Sequence, residues 1–214
     1  MRSSTHICIK SITSQCSAFS DVLRLRSVAY ARDEAGDLDP IDAHSLHFIA
    51  SDGESVIGAL RVTCRRNGPL ESESAYPGWL LEEFGDQLCA SSRMCVAPHL
   101  RATTDIPFQL TKAAWSNVLP LGVRIDVSKA RLKAIPFYMR MGYCFVRDSL
   151  FEFERWSTRC GLIAYPATPH HASRLADLFR KIDNPCDIQR SRNARQFTAS
   201  YSDFAVIAAE LEKY

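Results

Sequence analysis

Glycine is in short supply. The 214-residue chain has nine, and none lies between Gly85 and Gly122. That gap holds SRMCVAPHLRATTDIPFQL (residues 92–110), which reads as an apolar strand, a polar turn and the start of a helix. A turn that closes its backbone N–H groups around a diphosphate favours residues without a Cβ. Here side chains crowd the turn, Asp105 adds negative charge and Pro107 removes a donor. Paired cysteines are also missing. The eight cysteines (8, 16, 64, 89, 95, 144, 160 and 186) form no C-x-x-C, which excludes a zinc ribbon and a thioredoxin-like motif. They read as reduced thiols of a cytoplasmic protein, with Cys95 and Cys144 buried in strand-like runs. No apolar run approaches the roughly 20 residues of a membrane span. The first twenty residues are Ser-rich but lack a signal-peptide core, so a native N-terminus is expected. Neither sign of charge dominates: 26 Lys and Arg face 24 Asp and Glu, a net +2 that argues against wholesale nucleic-acid binding. His170-His171 has no companions at metal spacing, and no metal is expected.

What is present is an ordinary globular composition, 46% hydrophobic and 23% charged. Residues 19–32 approximate an amphipathic helix with Ser20 as its N-cap, followed by an Asp/Gly loop. SLHFIAS and SVIGALRVTCR read as strands around an Asp52-Gly53 hairpin turn. After a Pro/Gly/Glu-rich loop (67–78), WLLEEFGDQL reads as a short helix, SRMCVA as a strand and IPFQLTKAAWSNVLPLG as a helix. GVRIDVSKA is a strand, RLKAIPFYMRMG a helix closed by Gly142, and YCFVRD a strand. The order αββαβαβαβ is that of an α/β domain. The character of the sequence changes near residue 157, beyond which HASRLADLFRKI and SDFAVIAAELEKY carry helical patterns. Two segments are therefore expected: a core over 1–156 and a mostly helical extension over 157–214.

IPFYMRMGYCFV joins an aromatic pair near a helix end to a Gly cap and an apolar strand. It resembles the C-terminal signature of the GNAT (acyl-CoA N-acyltransferase) superfamily, which implies a mixed central sheet flanked by helices. LRSVAY, DLDPIDAHSLHFIA, GALRV and SSRMCVAP follow in the order and spacing of acyl-homoserine-lactone synthases and long-chain N-acyl amino acid synthases. The resemblance covers roughly residues 20–150. It places Arg26, Tyr30, Asp39, Arg61 and Arg93 at the substrate, with Asp42 beside them as a catalytic residue. It also gives Tyr138 the role of protonating the departing thiolate, and a backbone N–H near Cys95 or Val96 that of polarising the thioester carbonyl.

The charged set suits a zwitterionic amine, since an arginine fork matches a carboxylate or phosphate. Asp39 and Asp42 either bind an ammonium or pair with Arg26. Arg61 and Arg93 stand inside apolar strands and need an anionic partner, which is either a ligand or one of these aspartates. The glycine-free turn favours the single phosphodiester of acyl carrier protein over the diphosphate of coenzyme A, with Arg101 and Thr103 available to either. Lys129, Arg131, Lys133 and Arg140 form one basic patch for an acidic carrier, and Arg65 and Arg66 another. Phe48, Trp79, Phe108 and Trp115 either line an acyl channel or fill the core. One departure stands out: the lactone synthases carry a catalytic Glu three residues before the Arg of S-R-x-x-V, and here that residue is Ala90. Asp42, His47 and His99 are the alternative bases.

The expected activity is therefore N-acylation of an amino acid or related small amine, with an acyl-phosphopantetheine donor (acyl-ACP or acyl-CoA) and no tightly bound cofactor. An acyl-homoserine-lactone synthase, an acyl-CoA-dependent N-acetyltransferase and an inactive GNAT-fold binding module are the alternatives.

Overall fold

The computed structural model describes residues 7–30, 38–53, 55–101, 104–141, 143–145, 151–153 and 158–167. In chain order the elements are β1 (Ile7–Ile12), α1 (Phe19–Ala29), β2 (Leu46–Asp52), β3 (Ser55–Cys64), α2 (Gly78–Phe84), β4 (Leu88–Val96) and α3 (Ile106–Val118). β5 (Ile125–Arg131), α4 (Ile135–Arg140), β6 (Cys144–Phe145), β7 (Phe151–Phe153) and β8 (Thr158–Pro166) follow. They fall into two compact units, one of Met1–Glu71 with Ala90–Leu121 and one of Ser72–Cys89 with Gly122–Tyr214.

In the first unit β1, β2, β3 and the Ala90–Val96 part of β4 lie side by side in that order. β1 and β2 pair antiparallel from Ile7↔Asp52 to Ile12↔His47, and β2 and β3 from Leu46↔Val62 to Asp52↔Ser55. The two-residue side-chain period gives this sheet two different faces. Phe48 and Leu60, paired across β2 and β3, are fully buried apolar residues. Gly58 belongs to the same face of β3, and a Cβ there would lie 2.5 Å from Ile106 Cγ2 of α3. The glycine lets α3 sit against the strand. On the opposite face His47 pairs with Arg61, and both meet Arg26 of α1 or its partner Asp42. One face is thus an apolar core and the other a buried polar layer.

In the second unit β5 runs parallel to the start of β4 (Leu88↔Ile125, Cys89↔Asp126). It pairs antiparallel with β8 from Ile125↔Pro166 to Arg131↔Cys160. β8 also carries β6 (Cys144↔Ala164) and β7 (Phe151↔Cys160). Leu88, Val123, Ile125, Val127, Leu162 and Ile163 form its core.

The structure differs from the sequence reading in several places. β1, β7 and β8 were not expected. β8 covers residues 158–166, so the sheet continues past residue 156 into the segment assigned to a helical extension. Its apolar run is uninterrupted because it is buried between β5 and its partners, which removes the alternation that marks a half-exposed strand. Ser20 does not cap α1. The N-cap is Ala18, and the Ser20 hydroxyl donates to Ser17 O at 2.9 Å. The hairpin turn begins one residue later than expected, because Asp52 is paired with Ser55 and Gly53 (φ +62°) takes the left-handed position. The two expected C-terminal helices, His170-His171, Cys186, Thr103 and Gly142 lie outside the described residues, as do the side chains of Lys133, Arg140 and Cys144.

Candidate active site

Four stretches that are distant in sequence meet in the polar layer of the first unit. α1 supplies Arg26, the turn before β2 supplies Asp39 and Asp42, β3 supplies Arg61, and β4 supplies Ser92 and Arg93. Local sequence sets the turn. Pro40 starts a short 3-10 helix, and Asp39 and Asp42 cap it reciprocally: Asp39 Oδ1 accepts from Ile41 N, and Asp42 Oδ2 accepts from Asp39 N, both at 3.0 Å. The D-x-x-D spacing is therefore a capping box that leaves Asp39 Oδ2 and Asp42 Oδ1 pointing to the arginines.

Arg26 donates to Asp42 Oδ1 at 2.9 Å, and Arg61 Nη1 donates to Asp39 Oδ1 at 2.7 Å and to Asp42 Oδ1 at 3.1 Å. Arg61 Nε reaches Ser92 Oγ at 2.9 Å, and Arg93 Nη2 reaches Asp39 Oδ2 at 2.7 Å. Ser92 and Arg93 are consecutive, and a regular strand would point them to opposite faces. Arg93 has φ +55°, a left-handed conformation that costs roughly 1–2 kcal/mol in a non-glycine residue and re-aims its side chain. Its ion pairs hold it there.

The anionic partners that Arg61 and Arg93 require are thus protein carboxylates. Burial opposes ionisation of Asp39, but Arg61 and then Arg93 outweigh it and hold its carboxyl below the usual range. Burial likewise works against the Arg61 charge, and Glu71, Asp39 and Asp42 overcome it.

Glu71 is the member that the sequence reading missed. Its Oε2 accepts from Arg61 Nη2 at 2.8 Å, and its Oε1 lies 3.5 Å from Arg93 Nη2. The available signal was charge balance. Three arginines set among apolar residues call for a third carboxylate beside Asp39 and Asp42, although the loop that supplies it holds two glutamates, Glu71 and Glu73.

The expected bases sit differently from one another. Asp42 is fully buried, with both oxygens occupied. His47 is fully buried too, its Nδ1 3.1 Å from Arg26 Nη2 and its Nε2 3.2 Å from Asp42 O. An arginine only donates, so Nδ1 is the acceptor and the proton is on Nε2. Burial first, and then the arginine charges, depress its pKa to about 4 against the opposing pull of Asp42. His47 is a neutral structural member of the layer. His99 is exposed in the turn after β4.

Other expected residues stand outside the cluster. The Tyr30 hydroxyl donates to Met94 O at 2.5 Å, which ties the end of α1 to β4. Arg101 donates to Val96 O at 3.2 Å and to Ala29 O at 3.0 Å. Burial pushes the Cys95 thiol up to about 11, so it stays protonated, and Val96 is buried at the end of β4. Asp105 occupies the exposed N-cap position of α3 without capping it, and its carboxylate accepts from Gln109. Of the four expected channel residues, Phe48 and Trp115 are core, Trp79 is half-buried, and Phe108 is exposed.

The second unit has a smaller polar centre. Asp126 of β5 is buried, accepting from Tyr143 at 2.5 Å and from Ser128 at 3.3 Å. The rings of Tyr138 and Tyr143 meet edge to face at 5.7 Å, and Tyr143 lies 5.1 Å from Tyr165. Burial and then the Asp126 charge push the half-buried Tyr138 phenol up to about 12. It keeps its proton throughout the neutral range. Lys129 donates to Ser72 Oγ at 3.0 Å, and Arg131 is half-buried. Among the described residues no group of His, Cys, Asp or Glu is placed to hold a metal ion, and no helix is long and apolar enough to cross a membrane.

Comparison with known proteins agrees with this architecture. Residues 21–156 match the family described as N-acyl amino acid synthase FeeM. The structure of FeeM, an N-acyl amino acid synthase from uncultured soil microbes, is similar at TM-score 0.60 and 15% identity, covering 83% of this chain and 99% of that one. An acyl-CoA N-acyltransferase from Pseudomonas aeruginosa is similar at TM-score 0.56 and 13% identity, covering 75% and 99%. The CoA-dependent acyl-homoserine lactone synthase MesI is similar at TM-score 0.51 and 15% identity, covering 84% and 100%. No curated protein sequence matches the chain. At these identities the structural likeness is one of fold, and the expected GNAT-like mixed sheet with flanking helices is what the chain adopts.

Proposed function

The chain belongs to the N-acyl amino acid synthase family FeeM and is an N-acyltransferase, and from that premise we propose that it moves a fatty acyl group from acyl carrier protein to the amine of an amino acid or related small molecule. One observation carries the reading. The charged residues of four separate motifs, all within the matched segment, converge on a single ion-paired cluster built around Arg61. Such a cluster offers a cationic acceptor fixed carboxylates that need no reorganisation to receive it.

In the reaction the acceptor amine, having lost its proton to solvent, attacks the thioester carbonyl. The C–N bond forms, the C–S bond breaks, the nitrogen gives up its second proton to solvent to leave the amide, and the thiolate takes up a proton. We assign the Tyr138 hydroxyl to that thiolate. With its pKa near 12 it acts chiefly as a neutral hydrogen-bond donor to the developing charge. The carbonyl oxygen is assigned to a backbone N–H at Cys95 or Val96.

The choice of carrier protein over coenzyme A rests on the turn before α3. A diphosphate at that helix start would face the exposed carboxylate of Asp105 and lack the N–H of Pro107. Lys129, Arg131, Lys133 and Arg140 are assigned to an acidic carrier. Location in the cytoplasm, where thiols stay reduced, is part of the same proposal.

The test is intact-mass spectrometry of acyl-ACP incubated with the protein and pooled amino acids, beside matched acyl-CoA reactions. Amine-dependent conversion of acyl-ACP to holo-ACP is the expected result, and the product mass names the acceptor. Turnover with acyl-CoA alone overturns the donor assignment. A requirement for S-adenosylmethionine points to a lactone synthase, and no thiol release from either donor points to a binding module.

A further inference from the structure

Glu71 belongs to none of the motifs that carry the family resemblance, yet it closes the cluster. Asp39 bridges Arg61 and Arg93 with one oxygen to each, both at 2.7 Å. Glu71 bridges the same two arginines from its own side, at 2.8 and 3.5 Å. The four side chains form a ring in which cations and anions alternate. The arginine side chains are 0% and 4% exposed, the carboxylate side chains 14% and 13%, so the ring is reached from solvent through its carboxylates. Ala90, where the resemblance calls for a glutamate, is buried and brings no charge.

Charge then decides what Glu71 does. Among the described residues Arg26, Arg61 and Arg93 are balanced by Asp39, Asp42 and Glu71, and His47 is neutral. Without the Glu71 carboxylate these described groups carry one more positive than negative charge. An amine acceptor arrives as an ammonium and would be repelled, while Arg61 and Arg93 would each lose a bridging partner.

On the premise that this cluster is the acceptor site of the N-acyltransferase, we propose that Glu71 is its positioning residue. It fixes Arg61 and Arg93 and sets the charge that the incoming ammonium meets, from a loop position and not from position 90.

The test compares full-length wild type, Glu71→Gln and Glu71→Asp in steady-state kinetics, varying the thioester and the amine separately. The amine probe is whichever amino acid the wild type acylates from an equimolar pool. Glu71→Gln is expected to raise the amine KM on the order of tenfold while the thioester KM stays within about twofold. The amine effect shrinks as pH rises through the pKa of the amine, because the neutral form feels no repulsion. Glu71→Asp restores the charge and recovers most of the loss. An unchanged amine KM, parallel shifts in both KM values, or no recovery in Glu71→Asp overturns the inference while leaving the N-acyltransferase reading intact. If Glu71→Gln does not fold, Glu71→Asp alone must still raise the amine KM and spare the thioester. A wild type that releases no thiol in response to any amine removes the acceptor-site premise, and this inference with it.

Discussion

His47 illustrates how a residue type can suggest catalysis while its surroundings assign it to structure. With its lone pair on Arg26 and its N–H on Asp42 O, it has nothing left for a substrate proton. Its folded pKa of about 4 lies below the usual 6.5, so the unfolded chain binds a proton first as pH falls. The stability tied to the neutral ring is complete above pH 6.5 and is lost as pH drops towards 4, on the order of 3 kcal/mol in all. The depressed Asp39 carboxyl acts in the same direction at lower pH. Its contribution is present above the unfolded value of 3.8 and is lost as pH falls through the folded pKa. Urea midpoints measured from pH 7 downwards should fall through this window in the wild type. His47→Gln, which keeps one acceptor and one donor, should flatten the limb between 6.5 and 4; an unchanged slope would assign that limb to other groups. Asp126 offers a second check. Asp126→Asn removes the charge that helps raise Tyr138, and the phenol should titrate below about 12 by NMR, though still above its ordinary value because burial is the larger cause. No movement would mean that Asp126 does not act on Tyr138.

Gly58 shows the same dependence on context one level up. In the sequence it is a glycine inside a strand run, which weakens the strand and calls for a reason. The reason is α3: any Cβ at this position meets Ile106 Cγ2 and lies 3.3 Å from Leu110 Cδ1. Gly58→Ala is expected to destabilise the protein by about 1–3 kcal/mol through overpacking. In a double-mutant cycle with Ile106→Ala the combined cost should fall short of the sum, measured by urea denaturation; strict additivity would mean that the helix yields elsewhere. β2, β3, α1 and α3 were legible because their periodicity and flanking Asp-Gly and Pro signals agree. β8 was not, since a strand paired on both edges and buried on both faces loses its alternation. Nor was the bend at Arg93, because only its salt-bridge partners justify a left-handed arginine in a strand.

For the molecule as a whole, a net charge of +2 gives little broad electrostatic attraction to an acidic protein, so the proposed recognition of a carrier rests on a local patch. Arg131→Glu is therefore expected to raise the KM for acyl-ACP about fivefold or more at low salt and to leave the KM for the acceptor unchanged. The difference should shrink as ionic strength shortens the Debye length. Equal effects on both substrates, or no salt dependence, would remove Arg131 from the carrier surface.

The sequence by itself determined the family-level outcome: strand and helix order through most of the core, the D-x-x-D capping box, and the requirement that Arg61 and Arg93 find anions. These follow from interactions within a few residues, or from the cost of burying an unpaired charge, and both are written locally. Only the tertiary structure decided which anions those are. Glu71 and Asp39 reach the same two arginines from loops 32 residues apart in numbering, and no local pattern encodes that meeting. It likewise decided that His47 and Asp42 are interior members of the layer, because burial depth and the count of occupied lone pairs exist only once the chain has folded.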